Sequence, residues 1–192
     1  MELLEAIRTR RTVREMKPDP VPPKAIERIL DAAVWAPNHK LTEPWRFAVL
    51  GPETRLALAK AMLAYRAERL PQPVVPEALE PFRKKIWGRF VDIGAAIAVS
   101  CARDGFDDEH RKRDDLFSVG IAIQHMQLAA WAEEIGACWV NGLVTKLPGV
   151  DRILGVDERG EMLVGVVSLG YPAAPPELVS RTPASAFTRH LP

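Results

Sequence analysis

LFSVGIAIQHMQLAAWAEEI, from Leu116 to Ile135, is the longest apolar segment in the chain. It is apolar nearly all round, so it predicts a central, mostly buried helix rather than a surface one. Ser118, Gly120, Ala122, Ala129 and Ala130 are small and let neighbouring elements approach closely. Asp114 or Asp115 is expected to open this helix, and Gly136 to close it as the glycine after the C-cap. His125, inside the apolar stretch, reads as a core histidine with its hydrogen bonds satisfied.

Outward from this helix the chain alternates between the two periodicities. Toward the C-terminus, Ala137 to Val140 reads as a strand and Asn141-Gly142 as a turn. Lys146 to Leu154 reads as a short helix capped by Thr145, and Glu161 to Gly170 as a strongly β segment. The tail, Ala173 to Pro192, has prolines and few core residues and resembles an arm that needs another surface to lie on. Toward the N-terminus, Ile93 to Ala102 reads as a buried strand and Asp104 to His110 as a polar loop. Glu77 to Trp87 reads as a short helix with a basic exposed face, and Glu53 to Leu70 as a longer helix. Trp45 to Leu50 is a strand closed by Gly51-Pro52. Lys24 to Trp35 is an amphipathic helix with its stripe on Ile26, Ile29, Leu30, Ala33 and Val34. Met1 to about Arg11 is the first helix, and Lys17 to Pro23 is an extended, proline-rich link.

One stretch is chemically unusual. Arg8-Thr9-Arg10-Arg11-Thr12-Val13-Arg14 holds four arginines and two threonines. Guanidinium forks match phosphate oxygens in pairs, and a hydroxyl can fill a remaining position. The competing reading is a solvated helix end, where cations complement the dipole. The chain as a whole has 26 basic and 25 acidic side chains, a net charge of +1. That balance argues against nucleic acid as a partner, so the arginine cluster is local. The 192 residues, 47% of them hydrophobic, suffice for one domain with a sizeable core.

Absent motifs narrow the chemistry. There is no GxGxxG, no GxxxxGK, no GxSxG and no HExxH. Cys101 and Cys138 form no CxxC pair and read as reduced core residues, and the four histidines are scattered, so no metal site is expected. No apolar h-region opens the chain and no apolar run reaches the length of roughly 18 residues needed for a span, so a cytoplasmic protein is expected. No side-chain nucleophile or acid–base pair stands out. If the chain is an enzyme, a bound cofactor carries the chemistry.

Four stretches together carry a resemblance. They are Arg10-Arg11-Thr12-Val13-Arg14; Ala36-Pro37-Asn38-His39-Lys40-Leu41-Thr42-Glu43-Pro44-Trp45-Arg46-Phe47; Gly136 to Gly142; and Leu163-Val164-Gly165 to Gly170-Tyr171-Pro172. In this order and over nearly the whole chain, they resemble the FMN-dependent nitroreductase family, in particular its small branch with an Ala-Pro-Asx-His-Lys loop. The resemblance is weakest from Leu70 to Phe90.

That resemblance implies an α+β fold: one domain over residues 1–192, with a mixed sheet wrapped by helices and a long central helix at an intertwined homodimer interface. It implies FMN between the subunits. Arg10, Arg11 and Thr12 match positions that hold the phosphate and ribityl chain, and Arg14 matches a basic position near the pyrimidine end. Trp35, Asn38, His39 and Leu41 match a loop that the partner subunit contributes. Trp139, Val140 and Asn141 match a segment along the flavin ring, and Arg181 is a candidate phosphate contact. Glu43 stands where relatives often carry glutamine, so it is expected to pair with a base or point away. The implied activity is NAD(P)H-dependent reduction of nitroaromatic or quinone-type small molecules, by ping-pong hydride transfer. Storage or delivery of flavin, or a specialised dehalogenase or dehydrogenase reaction, would use the same pocket.

Overall fold

The computed structural model describes residues 1–177 and 179–191. The elements run α1 (Leu3–Thr9), α2 (Pro23–Ala33), β1 (Trp45–Val49), α3 (Pro52–Ala67), α4 (Pro76–Phe90), β2 (Ala95–Ala102), α5 (Glu109–Ala132), β3 (Gly136–Val140), α6 (Val150–Leu154) and β4 (Glu161–Gly170), with short 3-10 turns between some of them.

The strands form one sheet in the order β1-β2-β4-β3. All three strand pairings are antiparallel. The sheet is thus antiparallel rather than mixed as expected; outside it, an isolated parallel bridge, Thr12 to Ala137, lays the arginine stretch on the outer edge of β3. All eight residues of β2 are buried, so this strand is covered on both faces. Period-two alternation divides it. Ala95, Ile97, Val99 and Cys101 face a core built with α2 and α5. Ala96 and Ala98 face a second core built with α3, α4 and α6.

α2 keeps part of the stripe read from sequence: Ile29 and Ala33 are buried, Ile26 and Leu30 half-buried, and Val34, just past its end, is exposed. Pro23 occupies the first turn, where its missing N–H costs nothing, and Ala25, Ile29 and Ala33 point into the core. Burying a side chain such as Ile29 or Ile123 contributes roughly 1.5–3 kcal/mol.

The central helix starts earlier and ends earlier than its apolar pattern suggests. It begins at Glu109 because Asp108 caps it: the carboxylate accepts from the backbone N–H of His110 at 2.9 Å and of Arg111 at 3.4 Å. Those backbone donors hold the Asp108 carboxyl below its usual value. The polar first turns, expected as loop, are therefore helical. At the far end the left-handed residue is Glu134, with φ 60°, rather than Gly136. Gly136 opens β3, where a Cβ would come within 2.7 Å of the Val13 side chain. Its role is close packing against the arginine stretch.

Two further expectations are corrected. The segment 146–154 is a 3-10 turn, Val144–Lys146, followed by α6, because Gly149 at φ 71° breaks it. The Thr145 hydroxyl donates to the Asn141 carbonyl at 2.5 Å and caps nothing. The helix expected at 77–87 runs from Pro76 to Phe90, anchored by buried Ile86 and Phe90. The described part of the tail is largely exposed, consistent with an arm that leaves the core.

Candidate functional site

α1 stops at Thr9 and the chain continues extended beside β3. The Val13 N–H donates to the Ala137 carbonyl at 3.0 Å. Val13 is buried, while Thr12 and Arg14 on either side point outward. The extended backbone thus turns one basic sequence run into a donor array along one edge.

Arg10, Arg11, Thr12 and Arg14 line a cavity of about 460 Å³, and the tail closes it with Arg181. The tail is held there by Arg11, whose Nη2 donates to the Val179 carbonyl at 3.2 Å. Arg11 Nη1 donates to the carbonyls of Arg8 and Arg10 at 2.7 and 2.8 Å. Arg10 Nη1 reaches Gln127 Oε1 of α5 at 3.4 Å. The Nε atoms of both Arg10 and Arg11 are buried without a partner. Glu15 and Glu177 also line the cavity, but among the described residues no carboxylate pairs with Arg10, Arg11 or Arg181. Burial, and then the neighbouring charges of Arg11 and Arg181, push the Arg10 pKa below its ordinary value. Unpaired guanidinium groups with unused donors are the chemistry of an oxyanion site.

Thr12 and Arg14 are shared with a second cleft of about 560 Å³. Trp139, Val140 and Asn141 form one wall of it, and Arg66, Phe82, Lys85 and Arg89 of α3 and α4 form the other. Gly165 makes the first wall possible: a Cβ there would lie 2.5 Å from Trp139 Nε1 and 2.7 Å from the Val140 carbonyl. Cys138 lines the cleft, but burial pushes its thiol pKa up, which removes it as a nucleophile. Burial also pushes the Cys101 thiol to about 12. Among the described residues there is no cluster of histidine, cysteine and carboxylate side chains that could hold a metal.

Trp35, Asn38, His39 and Leu41 are not brought to either cavity by their own chain. Their loop is rigidly built all the same. Lys40, Leu41 and Glu43 have φ values of 52°, 54° and 43°, a left-handed conformation that costs non-glycine residues roughly 1–2 kcal/mol each. Thr42 Oγ1 donates to Asp115 Oδ1 at 2.7 Å, and Asp115 is only 2% exposed. Asn38 serves the loop itself: its Oδ1 accepts from the Glu43 N–H at 3.0 Å, and its Nδ2 donates to the Ala36 carbonyl at 3.3 Å. The bracing holds Trp35 and Leu41 outward, 82% and 81% exposed. Glu43 is exposed, and its carbonyl accepts from Arg46 Nη1 at 3.0 Å. His125 Nδ1 lies 3.2 Å from the Ala32 carbonyl, so its hydrogen bond is satisfied, but it is half-buried beside the exposed face of α5 rather than in the core as expected.

Sequence reading missed Arg66, Phe82, Lys85 and Arg89 as cleft residues. The basic character of 77–87 was visible, but only the packing of α4 on α3 turns part of it toward Arg14.

Comparison with known proteins gives the family and the fold. The Nitroreductase family pattern matches residues 7–171. The Bacillus subtilis protein YfhC, which carries a provisional NAD(P)H nitroreductase name, is 33% identical over 182 residues, 94% of this chain and 90% of its own. A nitroreductase-like family protein from Bacillus cereus superimposes with a TM-score of 0.81 at 27% identity, covering 100% of this chain and 96% of that one. A Desulfovibrio desulfuricans protein described as a nitroreductase in complex with FMN gives 0.76 at 24% identity, over 100% and 98% of the two chains; that likeness is one of fold. The chain belongs to the nitroreductase family.

Proposed function

We propose that the chain binds FMN and works as an NAD(P)H-dependent reductase of electron-poor small molecules. One observation carries this reading: Arg10, Arg11 and Arg181 converge on a single cavity, with two buried Nε donors left unused and no carboxylate paired to them. A phosphate monoester fits that deficit in charge and in donors. Arg10, Arg11, Thr12 and Arg181 would hold the phosphate end. Arg14, shared by the two cavities, would sit toward the pyrimidine end, and a cation there tunes the reduction potential. Trp139, Val140 and Asn141 would pack along the ring. FMN held by these residues would supply two-electron redox chemistry between NADH or NADPH and an acceptor. With one open cleft serving both in turn, ping-pong kinetics follow.

The reading includes a homodimer. Phe117 and Ile121 of α5 are exposed with Ile7 of α1, and they line an apolar groove that also contains Trp139. Trp139 therefore joins the apolar face to the ligand cleft. A second copy covering that face would bring its own Trp35 and Leu41 to the flavin and exclude water there.

The experiment is a visible spectrum of the purified protein, repeated after anaerobic addition of NADH or NADPH. A flavin spectrum that bleaches is expected. A flavin that stays oxidised with both nicotinamides would point to storage or delivery. Absence of flavin after incubation with FMN would overturn the assignment.

A further inference from the structure

The positive charge on α4 exceeds what the flavin reading uses. Beside the cleft, a second groove of about 780 Å³ runs between the outer side of α4 and the segment 14–16. Lys85 and Arg89 line both spaces and form a ridge between them, while Lys84 lines only the groove. Among the described residues, Lys84, Lys85 and Arg89 make no ion pair. Three carboxylates also line the groove. Glu80 is taken by Arg83, at 2.7 Å, and Glu15 and Asp92 are exposed. In a chain of net charge +1, this run of free cations is a local feature.

The end of α4 is held in place. Ile86 and Phe90 are buried, the Trp87 carbonyl accepts from the N–H groups of Val91 and Asp92 at 2.8 and 2.9 Å, and buried Ser168 donates from Oγ to the Arg89 carbonyl at 2.5 Å. Arg83 lies over the Trp87 ring, 5.9 Å from its centroid, and both line the groove. Gly88 lies one turn beyond Lys84. Glycine weakens a helix interior, yet a Cβ at Gly88 would meet nothing within 4 Å. Packing within the chain therefore does not require it, and its missing side chain leaves the groove open beside the cations.

Building on the flavin reading above, we infer that this groove receives the adenosine 2′-phosphate half of NADPH and makes the protein prefer NADPH to NADH. The flavin ring takes the Trp139 side of the cleft in that reading, so a nicotinamide reaches it from the α4 side. The rest of the dinucleotide then crosses the ridge, where Lys85 and Arg89 suit its pyrophosphate. Arg83 on Trp87 offers a flat surface to the adenine. Lys84 meets the 2′-phosphate, the one group that NADH lacks. A volume of about 780 Å³ is that of a cofactor-sized site.

The test measures kcat/KM for NADPH and for NADH on the FMN-loaded protein. Lys84 is exposed, so Lys84→Gln spares the core. It is expected to lower the NADPH-over-NADH ratio about fivefold, the loss expected for one partly screened charge contact. Gly88→Leu fills the groove with a better helix former and should lower kcat/KM for NADPH at least tenfold while flavin content holds. Binding is read independently by calorimetry with adenosine 2′,5′-bisphosphate and 5′-AMP, which differ only in the 2′-phosphate. The wild type should bind the bisphosphate more tightly, and Lys84→Gln should narrow that gap. A wild type that uses NADPH and NADH equally and binds the two nucleotides equally, with flavin still bleached, would overturn this inference and leave the flavin reading intact. A preference for NADPH that neither variant moves would overturn it as well, because the phosphate would then sit elsewhere. A protein that takes up no flavin would remove both readings.

Discussion

The arginine cavity and the loop around Trp35 are incomplete in opposite ways. In the cavity, charge lacks a counter-charge: Arg10, Arg11 and Arg181 are crowded and two of their donors are unused. In the loop, apolar surface lacks a cover, while Asn38 and Thr42 brace the backbone, through Asn38 to Glu43 and through Thr42 to Asp115. Desolvated cations without anions call for a small charged ligand. A rigid loop that holds an indole and a leucine into solvent calls for an apolar partner. On the reading proposed above, a cofactor finishes one half of this site and a second subunit the other.

The comparison breaks most sharply at the arginines. Arg10→Ala with Arg11→Ala should weaken FMN binding by roughly a hundredfold or more, since each charge-assisted bond contributes about 1.5–3 kcal/mol. The thermal stability of the flavin-free protein should change little, because removing the crowded like charges offsets the lost hydrogen bonds to Gln127, Arg8 and Val179. Flavin fluorescence titration and a melting curve read both; equal flavin affinity in wild type and variant would show that the cavity is not a phosphate site. Next comes the apolar face. Phe117→Glu, at a position 61% exposed in the single chain, should weaken a dimer by about 2 kcal/mol or more, in the manner of an interface anchor. Sedimentation velocity against concentration decides it, and a wild type that stays monomeric would sink the dimer.

Thr42→Val sharpens the loop side. It removes the donor to buried Asp115 and should cost about 1–2 kcal/mol in chemical unfolding, with faster proteolysis between residues 35 and 43. No change in either would mean the loop is not braced from α5. The smallest effect belongs to Asp108. Its carboxyl is held below the ordinary value of 3.8 by the backbone N–H groups of His110 and Arg111. A depressed folded pKa stabilises above the unfolded value and loses that contribution as pH falls through it. Asp108→Ala should therefore slightly destabilise the chain at neutral pH, and the gap between variant and wild type should close in acid. A gap that stays constant with pH would argue against the cap.

Legibility was uneven for physical reasons. The α2 stripe was legible in part, because Ile29 and Ala33 repeat at helical spacing and are buried, whereas Ala25 joins the buried face and Val34 leaves it. The start of α5 was hidden because its first turns are charged and are specified by a cap, not by apolar period. Gly136 looked like a helix stop, yet its need is steric, set by Val13 more than a hundred residues away in sequence. In the site, the density of arginine from Arg8 to Arg14 announced an anion, whereas Arg66, Lys85 and Arg89 looked like a solvated helix face.

By itself the sequence determined most of the element types, the burial of β2, the long central helix, the basic edge and the family. Those depend on local periodicity and on motifs that survive in one dimension. Only the tertiary structure decided that Arg181 returns from the tail to Arg10, that α4 presents cations to Arg14, and that Trp35 and Leu41 point away from their own chain's cavities. Each of these joins residues far apart in sequence, and the packing of two cores on one sheet sets where they meet.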